Sequence, residues 1–97
     1  MKIDFAKKDG ELIVAIDGRL DTITAPELEE FLVKNYDGVT SLTFDCEKLV
    51  YVSSAGLRIL LTAHKRMKGA MKLTCVSELV MEVFEMTGFA DIWVIER

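Results

Sequence analysis

Histidine, cysteine, basic charge and long apolar runs are all scarce in this 97-residue chain, and each scarcity removes a class of function. The apolar runs are only a few residues long and are broken by charges, which excludes a membrane-crossing helix of about 20 residues. Met1-Lys2-Ile3-Asp4 also lacks the apolar stretch of a signal peptide, so a cytoplasmic protein with no membrane partner is expected. With 16 acidic and 12 basic residues the formal charge is -4. A nucleic-acid binder needs a basic patch to neutralise phosphates, so direct nucleic-acid binding is not expected. The one cationic cluster, His64-Lys65-Arg66-Met67-Lys68, reads as the last turn of a helix, where cations complement the dipole.

Cys46 and Cys75 are the only cysteines, lie far apart and fall in apolar strand patterns, so two buried free thiols are expected rather than a disulfide or a metal pair. His64, the only histidine, continues an apolar helical stripe, as a core or boundary histidine does. It follows the serines discussed below by ten residues, roughly 15 Å of helical rise, too far to serve them as a base. There is no Gly-x-Ser-x-Gly elbow, no P-loop and no Cys/His set with metal-ligand spacing. No catalytic residue, metal or cofactor is therefore expected.

What is present is a 51% hydrophobic composition, enough for one small packed domain. Ile3 to Ala6 and Leu12 to Ile16 read as strands of an antiparallel hairpin turned by Lys7-Lys8-Asp9-Gly10-Glu11, after which Gly18 breaks the pattern. Thr24-Ala25-Pro26-Glu27 predicts a helix start, with Thr24 as cap, Glu27 completing a capping box and Pro26 in the first turn. Leu28, Phe31 and Leu32 form its inner face, and Asn35-Tyr36-Asp37-Gly38 ends it. Ser41 to Cys46 alternates as a strand, a helix runs from about Ala55 to Met67 and stops at Gly69, and Met71 to Val76 is the next strand. Ser77 opens a third helix, with Leu79, Val80, Val83, Phe84 and Met86 on its apolar side and Gly88 as its C-cap; Ile92 to Ile95 is the last strand. Met67, Met71, Met81 and Met86 sit among core residues and read as interior gap-fillers. The expected fold class is α/β: a mixed, mostly parallel sheet of about five strands with three helices.

Tyr51-Val52-Ser53-Ser54-Ala55-Gly56-Leu57-Arg58 stands out within this frame, because two hydroxyls meet the start of a helix whose stripe is Leu57, Leu60, Leu61 and His64. Either Ser53 or Ser54 caps the helix, and the other hydroxyl sits beside it. A helix start has unpaired N–H groups and a positive dipole end, and it tolerates a phosphate. Asp21, Thr22, Ser53 and Ser54 all fall on strand-to-helix loops, which collect at one edge of a parallel sheet. Asp45 reads as a strand-end carboxylate that anchors the loop by accepting backbone hydrogen bonds.

The run from Leu42 to Leu57 resembles the central motif of the STAS family, which includes bacterial anti-sigma factor antagonists. In that family an apolar strand ends in Asp, a loop carries an apolar anchor, and Asp-Ser-Ser/Thr/Ala-Gly-Leu follows, its first Ser being the phosphoacceptor. Asp45, Leu49, Ser54 and Gly56-Leu57 match these positions, and Ser53 stands where the family usually has Asp. Gly18-Arg19-Leu20-Asp21 and Ala25-Pro26-Glu27-Leu28 are similar to the family's segment before its first helix.

The resemblance implies one STAS domain over residues 1–97, acting as a phosphorylation-controlled binding switch. It implies phosphorylation at Ser54 and a partner-binding surface of Asp21, Thr22, Ser53, Ser54, Gly56 and Arg58. For Asp21, a plain turn carboxylate before the first helix and a partner contact both remain open. The implied partners are an anti-sigma factor with serine kinase activity, whose capture frees a sigma factor, and a serine phosphatase that resets the switch. The alternative is a STAS module of another signalling assembly or a transporter-associated system, without serine phosphorylation.

Overall fold

A computed structural model describes residues 1–97. Strands β1 (Lys2–Lys8) and β2 (Glu11–Leu20) form an antiparallel hairpin in which Phe5 pairs with Val14 and Lys2 with Asp17. Helix α1 (Ala25–Asn35) leads to β3 (Ser41–Asp45) and β4 (Leu49–Val52), then α2 (Ser54–Arg66), β5 (Met71–Thr74), α3 (Glu78–Thr87), a 3-10 turn (Phe89–Asp91) and β6 (Val94–Ile95). The sheet order is β1-β2-β3-β5-β6, with β4 also paired to β2, and every pairing after the hairpin is parallel. None of the helices is long and apolar enough to cross a membrane.

Strand periodicity explains where the core lies. On β2, Leu12, Val14 and Ile16 are buried, whereas Glu11, Ile13 and Asp17 between them are exposed. Successive residues point to opposite faces, so one face of the sheet is covered and the other meets solvent. Leu42 and Phe44 of β3 and Met71 and Leu73 of β5 join the buried set with Leu28 and Leu32 of α1, Leu57 and Leu60 of α2, and Val80 and Phe84 of α3. Each such side chain contributes about 1.5–3 kcal/mol by leaving water. Trp93 closes the far end, stacked on Phe89 at 4.5 Å and edge-on to Phe84 at 5.3 Å.

The α/β class, the three helices, the hairpin and the mostly parallel sheet agree with the sequence reading. The sixth strand is a difference. Leu49–Val52 has a buried, exposed, exposed, buried pattern, which no strict alternation would reveal, yet it pairs with the end of β2. Gly18 does not end β2 either. It takes φ +108°, a conformation that favours glycine, and the register shifts between Gly18 and Arg19. Up to Ala15 the strand pairs with β3; beyond the shift, Arg19 and Leu20 pair with Tyr51 and Val52 of β4. The Gly18 N–H donates to the Lys48 carbonyl at 2.9 Å and holds the changeover.

Other expectations are corrected. Cys46 is buried, but Cys75, at φ +56°, is exposed just beyond β5. Met67 and Met71 are interior as expected, whereas Met86 is 87% exposed and Leu79 61%, because α3 turns that side to solvent. Gly88 does cap α3, in the left-handed conformation at φ +83°.

Candidate functional site

The site is built on the last residues of β2 and β4, which run side by side and release the chain into two loops at the same end of the sheet. Leu20 pairs with Val52, and the Leu20 carbonyl accepts the Ser53 N–H at 2.9 Å. This bond ties the β2 exit to the start of α2. Gly56 packs on the same point: a Cβ there would stand 2.7 Å from Leu20 Cγ and 2.8 Å from the Leu20 oxygen. Gly56 is buried, and its close approach is to Leu20.

The two serines have separate positions. Ser53 is the N-cap, with extended backbone, and its Oγ accepts the Gly56 N–H at 3.3 Å. Ser54 is the first helical residue and is exposed, and its hydroxyl has no protein hydrogen-bond partner. The first turn of α2 contains no acidic residue. A negative group attached to Ser54 would therefore sit at the positive end of the helix with no carboxylate in that turn to repel it. Arg58, four residues further on and exposed, lies on the same face.

Across from the serines, Asp21 organises the other loop. Its Oδ1 accepts the Ile23 N–H at 3.0 Å and the Thr24 N–H at 3.1 Å, and Arg19 Nε lies 3.6 Å from its Oδ2. The Thr24 N–H is the main cause that holds the Asp21 carboxyl below its ordinary value; partial desolvation opposes it, and the Ile23 N–H, the Thr24 hydroxyl and Arg19 add to it. The Thr24 hydroxyl accepts from the Asp21 N–H at 2.9 Å and donates to the Arg19 carbonyl at 2.7 Å. Thr24 thus occupies the N-cap position without capping, and the expected box with Glu27 does not form, because Asp21 has taken the role of accepting backbone donors. Thr22 and Ile23 at the tip are exposed, Ile23 by 82%.

Residues that the sequence analysis did not assign to the site also frame it. The Arg19 guanidinium lies 4.2 Å from the centre of the Tyr51 ring, and the two are cross-strand partners. Recognising Leu49–Val52 as a strand beside β2 is the signal that would have found this pair. Ile23 carries no motif; its exposure is a property of the loop alone.

Other chemistry lies elsewhere. His64 is half-buried in the second half of α2, ten residues from Ser54. Asp45, Glu47 and Cys75 bring potential metal-donor atoms within 4.8 Å of one another, but Asp45 Oδ1 is engaged by the Glu47 N–H at 3.0 Å, as a loop anchor is. A groove of about 400 Å³ runs past Lys2, Asp4, Asp17, Asp45 and Lys48, and none of the residues from Asp21 to Thr24 or Ser53 to Arg58 lines it.

The STAS domain family model matches residues 2–97. The chain belongs to the STAS family. It is 36% identical over 97 residues to the BtrV protein of Bordetella bronchiseptica, covering 96% of this chain and 84% of that one. It is 30% identical over 95 residues to the anti-sigma-B factor antagonist of Bacillus subtilis, covering 95% and 87%. Among solved structures, an anti-sigma factor antagonist from Mycobacterium paratuberculosis shares the fold at a TM-score of 0.86 and 20% identity, covering 98% of this chain and 84% of that one. SpoIIAA of Bacillus in its phosphorylated form shares it at 0.74 and 15%, covering 97% and 90%. This STAS chain is thus similar, over nearly its whole length, to proteins named as anti-sigma factor antagonists.

Proposed function

We propose that residues 1–97 act as one STAS unit, an anti-sigma factor antagonist whose binding is switched by phosphorylation of Ser54. The observation that carries this reading is the division of labour between the two serines: Ser53 caps α2, which leaves the Ser54 hydroxyl exposed and unbonded. The binding surface comprises Asp21, Thr22, Ser53, Ser54 and Arg58, with Ile23 added and Gly56 beneath it as a packing residue. Unmodified protein holds an anti-sigma factor, and a sigma factor goes free. When the anti-sigma factor, acting as a serine kinase, moves the γ-phosphoryl group of ATP to Ser54 Oγ, ADP leaves, the hydroxyl proton is released, and the partner lets go. A serine phosphatase restores the hydroxyl by hydrolysis, water taking up the phosphoryl group, which leaves as inorganic phosphate. The chain itself supplies no catalytic group.

Release needs no refolding. Phosphoserine brings about -1.5 to -2 charges at neutral pH. At an effective dielectric near 20, one unit-charge repulsion at about 4 Å is worth about 4 kcal/mol, and about 2.7 kcal/mol is a hundredfold in affinity. The test is affinity capture from the source cell, followed by titration of the captured partner with unmodified and Ser54→Asp protein. An anti-sigma factor that binds the first tightly and the second at least tenfold more weakly is expected. Capture of a transporter or of another signalling assembly, with no effect of Ser54→Asp, would replace this reading with the alternative one.

A further inference from the structure

Three of the four arginines are already engaged. Arg19 lies over Tyr51 and beside Asp21, Arg66 lies 4.8 Å over the Tyr36 ring, and Arg97 reaches Glu85 at 4.0 Å. Arg58 alone has no ion pair and no aromatic partner, and it is exposed on α2 four residues beyond Ser54. An anion at i with a cation at i+4 is the favourable order on a helix, and a guanidinium matches phosphate oxygens in a bidentate fork. The helix can form that pair by side-chain rotation alone. We infer that Arg58 is the internal counter-ion for a phosphate carried on Ser54, an assignment that rests on the reading of Ser54 as a phosphoacceptor.

Two further features favour the pair. No carboxylate in the first turn of α2 competes for Arg58. The acid on the neighbouring loop, Asp21, already has its oxygens committed to two N–H groups and to Arg19. Arg58 thereby acquires two roles: free to meet a partner when Ser54 is unmodified, and drawn back onto the helix when Ser54 is phosphorylated. One modification then both adds negative charge to the surface and withdraws a positive one.

The experiment uses the full chain with phosphoserine placed at position 54 during translation, so that it depends on no kinase. The ³¹P resonance is titrated between pH 4 and 8 in the parent, Arg58→Gln, Arg58→Lys and Arg19→Gln proteins, each first checked for an unchanged backbone amide spectrum. The second phosphate pKa is expected below its ordinary value of about 6, to rise by roughly 0.3 unit in Arg58→Gln, the size of an exposed i,i+4 pair, and to be partly restored in Arg58→Lys. Arg19→Gln should leave it within about 0.1 unit. Equal pKa values in the parent and Arg58→Gln, or a rise only in Arg19→Gln, overturn the assignment. Failure of a cellular kinase to label Ser54 would count against the switch and leave this measurement standing.

Discussion

Leu20 and Gly56 meet with room for a hydrogen atom and nothing larger, since any β-carbon at Gly56 would press on the Leu20 carbonyl oxygen at 2.8 Å. The oxygen belongs to a strand end that also accepts the Ser53 N–H, so it cannot move away without loosening α2. Gly56→Ala is therefore expected to destabilise the protein by about 1–3 kcal/mol, as overpacking of an ordered interior does. Urea unfolding of the two proteins measures it. A loss below about 0.5 kcal/mol would show that β2 and α2 can part at this point.

The neighbouring serines should behave differently on mutation. Ser53→Ala removes the cap acceptor of the Gly56 N–H and should cost about 1 kcal/mol. Ser54→Ala removes an exposed hydroxyl with no bond and should stay within about 0.5 kcal/mol of the parent. Thermal or urea unfolding of both variants checks the contrast, and equal losses would contradict the assignment of the cap.

Phosphorylation should follow the same division. Incubation with the cognate kinase and ATP is expected to add one phosphate, on Ser54, read by intact mass and fragment spectra. Ser54→Ala should accept none. Equal labelling of Ser53, or labelling of Ser54→Ala, would show that the acceptor lies elsewhere.

Alkaline pH should weaken the fold through Cys46. Burial first, and the nearby Asp45 and Cys75 charges after it, push its thiol up to about 12, against about 8.5 in an unfolded chain. Above about pH 8.5 the unfolded state loses the proton while the folded state keeps it, so stability falls as pH rises toward 12. Tyr36, raised mainly by burial, acts in the same direction. Between pH 7.5 and 10 the parent should lose up to about 2 kcal/mol more than Cys46→Ala, as measured by urea unfolding at each pH. Parallel declines in the two proteins would remove Cys46 from the account.

The legible parts of the fold were those with a regular period or a turn residue of known effect. Ser41–Asp45, α2 and the Gly88 cap follow from alternation, helical spacing and the left-handed preference of glycine. Leu49–Val52 escaped because four successive apolar residues show no alternation, and its burial at the two ends only is not the period-2 pattern of a strand. Thr24 is a good cap residue by type, but Asp21, three positions earlier, reaches the Ile23 and Thr24 N–H groups, and local sequence cannot say which acceptor wins. The serine pair was legible as a helix start. Helical spacing alone left open which serine caps it; the family spacing to Gly56-Leu57 assigned the cap to Ser53, and Ser53 is the N-cap. Met86 and Leu79 fit the helical stripe, and only the absence of any element beyond α3 leaves them in water.

Placing the cap and the free hydroxyl on adjacent residues has an evolutionary consequence. A chain that loses Ser53 is weakened, and cellular proteolysis has a handle on it. A chain that loses Ser54 is expected to fold as well as before and to pass the same surveillance. Under the proposed switch, descendants of this protein can thus shed the Ser54 hydroxyl in one step while keeping an intact scaffold, and selection on partner release rather than on folding is what would keep Ser54 in place.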